Sequence, residues 1–80
     1  MKYRVFKRRY YSIDGQFKLK YLLKEKQITL EEYNIQCKQL CVKPRKIHQT
    51  IDHLIWLSIL LEQHQLEREE FERAKRQCLK

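Results

Sequence analysis

Glycine and proline are almost missing from this chain, with one of each in 80 residues. That shortage excludes a loop-rich sandwich, a glycine loop that cradles phosphate, and a disordered Pro/Gly-rich segment. Long apolar runs are missing too. The longest, LIWLSILL at 54–61, has eight residues, whereas a membrane helix needs about 20, so no part of the chain is expected to cross a bilayer. Acidic residues are scarce at the front, where Asp14 alone faces Lys2, Arg4, Lys7, Arg8, Arg9, Lys18 and Lys20. The three cysteines are an odd number, and no apolar signal stretch follows the basic start. This fits a reducing cytoplasm better than a secreted disulfide scaffold.

What remains is 42% hydrophobic and 35% charged, the composition of an ordered helical chain. Eighty residues make a single domain, 1–80, close to the lower size for a self-supporting core. The net charge of +8 is uneven: residues 1–50 carry 13 Lys/Arg against 4 Asp/Glu, and residues 51–80 carry 5 against 6. A cationic half of that density attracts phosphate or an acidic protein surface.

The chain also repeats itself. LLKEKQITLEEYNIQCKQL at 22–40 returns as LLEQHQLEREEFERAKRQC from residue 60, an offset of 38. Leu22, Leu23, Gln27, Ile28 and Tyr33 align with Leu60, Leu61, Gln65, Leu66 and Phe71, while Glu31, Glu32 and Gln39 recur identically. In each copy the spacing predicts helix, tight turn, helix. Thr29 and Glu32 form a capping box, and Ile28 and Tyr33 can close a hydrophobic staple over it. Glu67 is a poorer cap in the second copy, though its charge still suits a helix N-terminus. His64 is expected in the second turn.

Apolar residues follow one face of each arm: Leu19, Leu22 and Leu23; then Tyr33, Cys37, Leu40 and Cys41; then Phe71, Ala74, Cys78 and Leu79. Pro44 ends the first unit and opens a longer helix at 46–64. That helix is apolar on more than one face around Ile55, Trp56, Ile59 and Leu60, which makes it either the central helix or an interface. The expected architecture is all-α, two hairpins packed as a small bundle: a basic segment at 1–14, a first hairpin at 15–41, a linker at 42–45 and a second hairpin at 46–80. The segment 1–14 suits a helix slightly better than a strand. Asp14-Gly15 is read as a break, either a helix end or a hairpin turn.

The pattern carried by Leu19, Leu22, Leu23, Ile28, Thr29, Glu32, Tyr33 and Leu40 resembles the short C-terminal domain (SHOCT) family, and residues 60–78 look like a degenerate second copy. The resemblance covers about 24 residues well and a similar number weakly. It departs from the family where Lys26-Gln27 and His64-Gln65 stand in place of the usual turn glycine. It implies a helical hairpin of bacterial or phage type, with oligomerisation or adaptor roles and nucleic-acid association in place of catalysis.

Other constellations have plainer readings. Cys37 and Cys41 with His48 and His53 have a loose zinc-like spacing, but both cysteines fall on the apolar stripe, so core packing is preferred and no metal or other cofactor is expected. A Cys–His nucleophile would need a pocket that paired helices this small scarcely offer, so the chain is read as a non-enzyme with no small-molecule substrate. The stretch KYRVFKRRYY interleaves rings with cations. Candidate nucleic-acid contacts are Lys2, Arg4, Lys7, Arg8, Arg9 and Tyr10, with Lys43, Arg45 and Lys46 if the linker folds back. DNA is favoured over RNA as partner. The expected function is that of a small basic accessory or regulatory protein that self-associates through its hairpins, with a homodimer possible, and binds nucleic acid. The alternative kept open is an adaptor or inhibitor of phage or mobile-element type that docks on an acidic protein surface through Ile55, Trp56, Ile59 and Leu60.

Overall fold

In the computed structural model, which describes residues 2–79 and the side chains from Arg9 onward, four helices follow one another: α1 Lys2–Lys24, α2 Leu30–Val42, α3 Pro44–Glu62 and α4 Arg68–Cys78. There is no strand among the described residues. Each hairpin turns through the same device at the same place in the repeat. Lys26 and His64, 38 residues apart, take the left-handed conformation with φ of 60° and 61°. Gln27 N–H then donates to Leu22 O and Gln65 N–H to Leu60 O, both at 2.9 Å. These are the backbone bonds that close a helix end on a left-handed residue.

The cap chemistry repeats as well. Glu32 N–H donates to Thr29 Oγ1 at 3.1 Å, and Thr29 N–H donates to Glu32 Oε1 at 2.8 Å. In the second copy Glu67 N–H donates to Glu70 Oε1 at the longer distance of 3.4 Å. The core is built from Leu19, Leu22, Ile28, Leu40, Ile47, Ile51, Leu54, Leu57 and Phe71. It draws on both copies, so neither hairpin has a core of its own.

Three expectations need correction. Asp14-Gly15 breaks nothing, because α1 runs through it unbroken. Gly15 is buried, and a β-carbon there would lie 2.9 Å from Leu40 Cδ2 and 3.2 Å from Ile51 Cδ1. Its bare backbone serves close helix packing, not a turn. The linker at 42–45 contracts to Lys43, which ends α2 and precedes Pro44 at the first turn of α3, so the long helix covers Pro44–Glu62 and not 46–64. Cys41 is exposed, off the buried stripe on which it was placed.

α1 and α3 run side by side in the same direction. Tyr11 meets His48 with ring centroids 5.0 Å apart, Lys18 meets Asp52, and the Tyr21 hydroxyl donates to Glu62 at 3.1 Å, in the same order along both helices. The tight turns make α2 antiparallel to α1 and α4 antiparallel to α3. Helix α3 packs against all three others, whereas the α2 and α4 backbones do not lie side by side and the two helices meet through side chains, Lys75 reaching Glu32. The α1–α2 turn is tied to α4 instead: Arg68 Nη1 donates to Gln27 Oε1 at 2.8 Å, and the buried Lys75 amine donates to Gln27 O at 3.2 Å.

Candidate nucleic-acid interface

Because directions alternate, the start of α1, the end of α2, the start of α3 and the end of α4 share one end of the bundle. The stretches that reach it, 2–13, 33–51 and 73–79, contain no Asp or Glu; all ten acidic residues of the chain lie elsewhere. They contain Lys2, Arg4, Lys7, Arg8 and Arg9 on α1, Lys38 on α2, Lys43, Arg45 and Lys46 at the α2–α3 junction, and Arg73 and Arg76 on α4, besides Lys75, which is buried and paired with Glu32 and Glu72. Apart from Asp14 and Asp52, the acids cluster at the turns. The uneven charge of the sequence is therefore a polarity along the bundle axis.

The junction is the part built most closely for an anion. Lys43 provides no side-chain cap to α3, the first turn of α3 holds no acid, and Pro44 has no N–H. The N–H groups of Arg45 and Lys46 thus lack intrahelical acceptors at a helix end that carries partial positive charge. Beside them lies a groove of about 420 Å³ between α2, α3 and the end of α4, with Ile47, Val42 and Leu79 in its lining and Lys38, Lys43 and Lys46 among them.

Arg9, Tyr10, Lys43, Arg45 and Lys46 are all exposed, and the antiparallel connection brings the last three to the end that Arg9 and Tyr10 occupy. Lys2, Arg4, Lys7 and Arg8 belong to the first turns of α1, and their side chains lie outside the described residues. On α3, Ile55 and Leu60 are half-buried, whereas Trp56 stands 57% exposed and Ile59 39%. Trp56 is thus a surface residue of the central helix.

The sequence reading missed a cluster on the α1–α3 seam. His48 Nε2 lies 2.7 Å from Asp14 Oδ2, and Nδ1 lies 3.4 Å from Asp52 Oδ2. Lys18 Nζ bridges Asp14 at 2.8 Å and Asp52 at 2.5 Å. Hydrogen bonds from Lys18 and His48 hold the Asp14 carboxyl below its ordinary range. Burial opposes the charge on Lys18, but bonds to Asp14 and Asp52 outweigh it and raise the amine. Asp14, His48 and Asp52 offer donor atoms close enough for a metal, yet the Lys18 ammonium already supplies the cation between the carboxylates. Cys37, Cys41 and His53 do not join such a group among the described residues.

A second missed residue is Lys75, 5% exposed, which takes the place of Cys37 in the repeat and bonds Glu32 Oε1 at 3.2 Å and Glu72 Oε2 at 3.0 Å. No family model, no curated protein and no solved structure matches this chain.

Proposed function

We propose that this protein is a small cytoplasmic accessory or regulatory factor that binds nucleic acid, DNA in preference to RNA, with the acid-free end of its bundle. One observation carries the reading: three separate stretches of chain, each without an acid, meet at that end and bring their cations together. Phosphates neutralised by such cations release counterions, so affinity should fall steeply with salt. The uncapped start of α3 adds backbone donors suited to a phosphate oxygen. The resemblance to the SHOCT hairpins, which implies association in place of catalysis, supports the same non-enzymatic reading.

The test is fluorescence anisotropy with generic duplex DNA and with RNA of the same sequence, over a range of salt. Binding should weaken on a linear log–log plot, and Arg45→Glu/Lys46→Glu should lower affinity by about tenfold or more. Affinity that ignores both salt and these substitutions would refute the proposal. A second reading, an adaptor docking on an acidic protein surface through α3, rests on the exposure of Trp56; it predicts a stoichiometric protein partner that survives nuclease treatment and is lost with Trp56→Ala.

A further inference from the structure

The outward face of α1 carries Tyr10, Ile13, Phe17 and Tyr21 at helical spacing, exposed by 52, 55, 67 and 42%. Ile13 and Phe17 are the most exposed of the four, and Tyr10 and Tyr21 touch α3 only at the edge of the stripe, at His48 and Glu62. Large apolar side chains in a row on one helix face usually mark a contact surface. The repeat says which contact. Moving each by the offset of 38 gives His48, Ile51, Ile55 and Ile59 on α3. The first three belong to the side of α3 that packs on α1. His48 touches Asp14, Ile51 lies against Gly15, and Ile55 packs against the core.

The converse also holds. The residues of α1 that receive α3 are Tyr11, Asp14, Gly15 and Lys18. Their equivalents on α3 are Gln49, Asp52, His53 and Trp56, all exposed. Each copy therefore leaves much of one half of the α1–α3 joint exposed, Asp52 alone being shared with the closed joint through Lys18 and His48, and the two halves are of opposite kind. One is the entering face, on α1. The other is the receiving face, on α3.

We infer that copies of this chain stack head to tail, the Tyr10–Ile13–Phe17–Tyr21 face of one seating on the Asp52–Trp56 face of the next, so that the internal repeat continues between molecules. Stacked helical repeats bury a continuous core in this way, and an end repeat that is not polar invites another. The contact between molecules is wider than the one inside, because His53 stands where the bare backbone of Gly15 lets the helices approach closely. Inside the molecule Asp14 lies 2.7 Å from His48; between molecules the equivalent pair is Asp52 with Tyr10, a carboxylate facing a phenol O–H. Trp56 stands in the position of Lys18 and offers an exposed indole where Lys18 offers a cation. A head-to-tail contact of unlike faces has no two-fold axis to stop it, so it grows into a ring or a filament. Stacking of this kind keeps all helix directions, so the acid-free ends of successive copies point the same way.

This inference does not depend on nucleic-acid binding, and salt separates the two. Association between copies of net charge +8 should strengthen as salt screens their repulsion, whereas binding to DNA should weaken. The experiment is sedimentation velocity over a concentration series, without nucleic acid, on the full chain and on Phe17→Glu and Trp56→Glu, with circular dichroism to confirm that both variants stay helical. The full chain should pass beyond a dimer or close into a ring, with a blue shift in emission from its single Trp. Each variant alone should associate at least about tenfold more weakly, the loss expected when a central anchor is removed. Mixed in equal amounts, the two variants should pair as a dimer and go no further, because each retains the face the other lacks. A full chain that stays monomeric, or stops at a dimer, or a mixture in which the variants do not pair, would overturn the inference.

Discussion

Replacing Lys26 and His64 by glycine should stabilise the protein, because both residues hold a backbone conformation that a β-carbon opposes. At φ of 60° and 61° each is left-handed, which costs an ordinary residue about 1–2 kcal/mol. Glycine removes that strain but gives up roughly 0.5–1 kcal/mol through its greater freedom in the unfolded chain, which leaves a gain of about 0.5–1 kcal/mol per site. The Lys26 carbonyl that accepts from Arg68 Nη2 at 3.3 Å belongs to the backbone and survives the change. For a domain of this size each 1 kcal/mol moves Tm by about 4–8 °C, so the double variant should melt roughly 4–16 °C higher if the two turns add. Thermal and urea unfolding followed at 222 nm measure it, with Lys26→Ala and His64→Ala as controls that keep the β-carbon and should gain nothing. Glycine variants that unfold earlier than the parent, or that match the alanine pair, would refute the reasoning.

Three other perturbations test the packing. Lys75→Met keeps the aliphatic stem near Phe71 but removes the bonds to Gln27 O, Glu32 and Glu72; since both carboxylates are partly exposed and can rehydrate, the loss should be about 1–3 kcal/mol in urea unfolding. Ser58 is buried, and its Oγ has no hydrogen-bond partner, so Ser58→Ala should be neutral or stabilise by up to about 1 kcal/mol in the same assay. Acid should destabilise the fold. The Asp14 carboxyl is lowered by Lys18 and His48, while for Glu32 burial is outweighed by bonds from Thr29 and Lys75. Both folded values lie below the unfolded ones, so this stability is complete above the ordinary carboxylate range and is lost as pH falls through the folded values. Glu32→Gln should flatten the acid limb of stability against pH; an unchanged limb would count against it.

Much of the fold was legible because the repeat carries its own punctuation. Thr29 with Glu32 and Pro44 at a helix start are local signals, and the structure uses both, while Ile28 lies in the core and Tyr33 packs against it. Gly15 misled because glycine reads as a breaker when its neighbours are unknown; only the nearness of Leu40 and Ile51 shows that the missing β-carbon serves packing. Lys75 was hidden for a similar reason, since a lysine in a core register looks solvated until Glu32, 43 residues away, is seen to reach it. The placement of charge needed topology most of all. The sequence separates a basic half from a neutral one, whereas alternating helix directions sort the charges by bundle end and add Arg73 and Arg76 to the basic side. Trp56 was recognised as unusual, but whether it lay in the core or at the surface depended on which side of α3 meets α1.

The most direct measurement compares two pairs of substitutions that change net charge equally: Arg45→Glu/Lys46→Glu at the acid-free end, and Lys24→Glu/Lys26→Glu at the turn end. With duplex DNA at one moderate salt concentration, the first pair should lose about tenfold or more in affinity and flatten the salt dependence, while the second should bind nearly as the parent does. Equal losses from both pairs would mean that binding follows net charge alone and that the bundle has no cationic end dedicated to it.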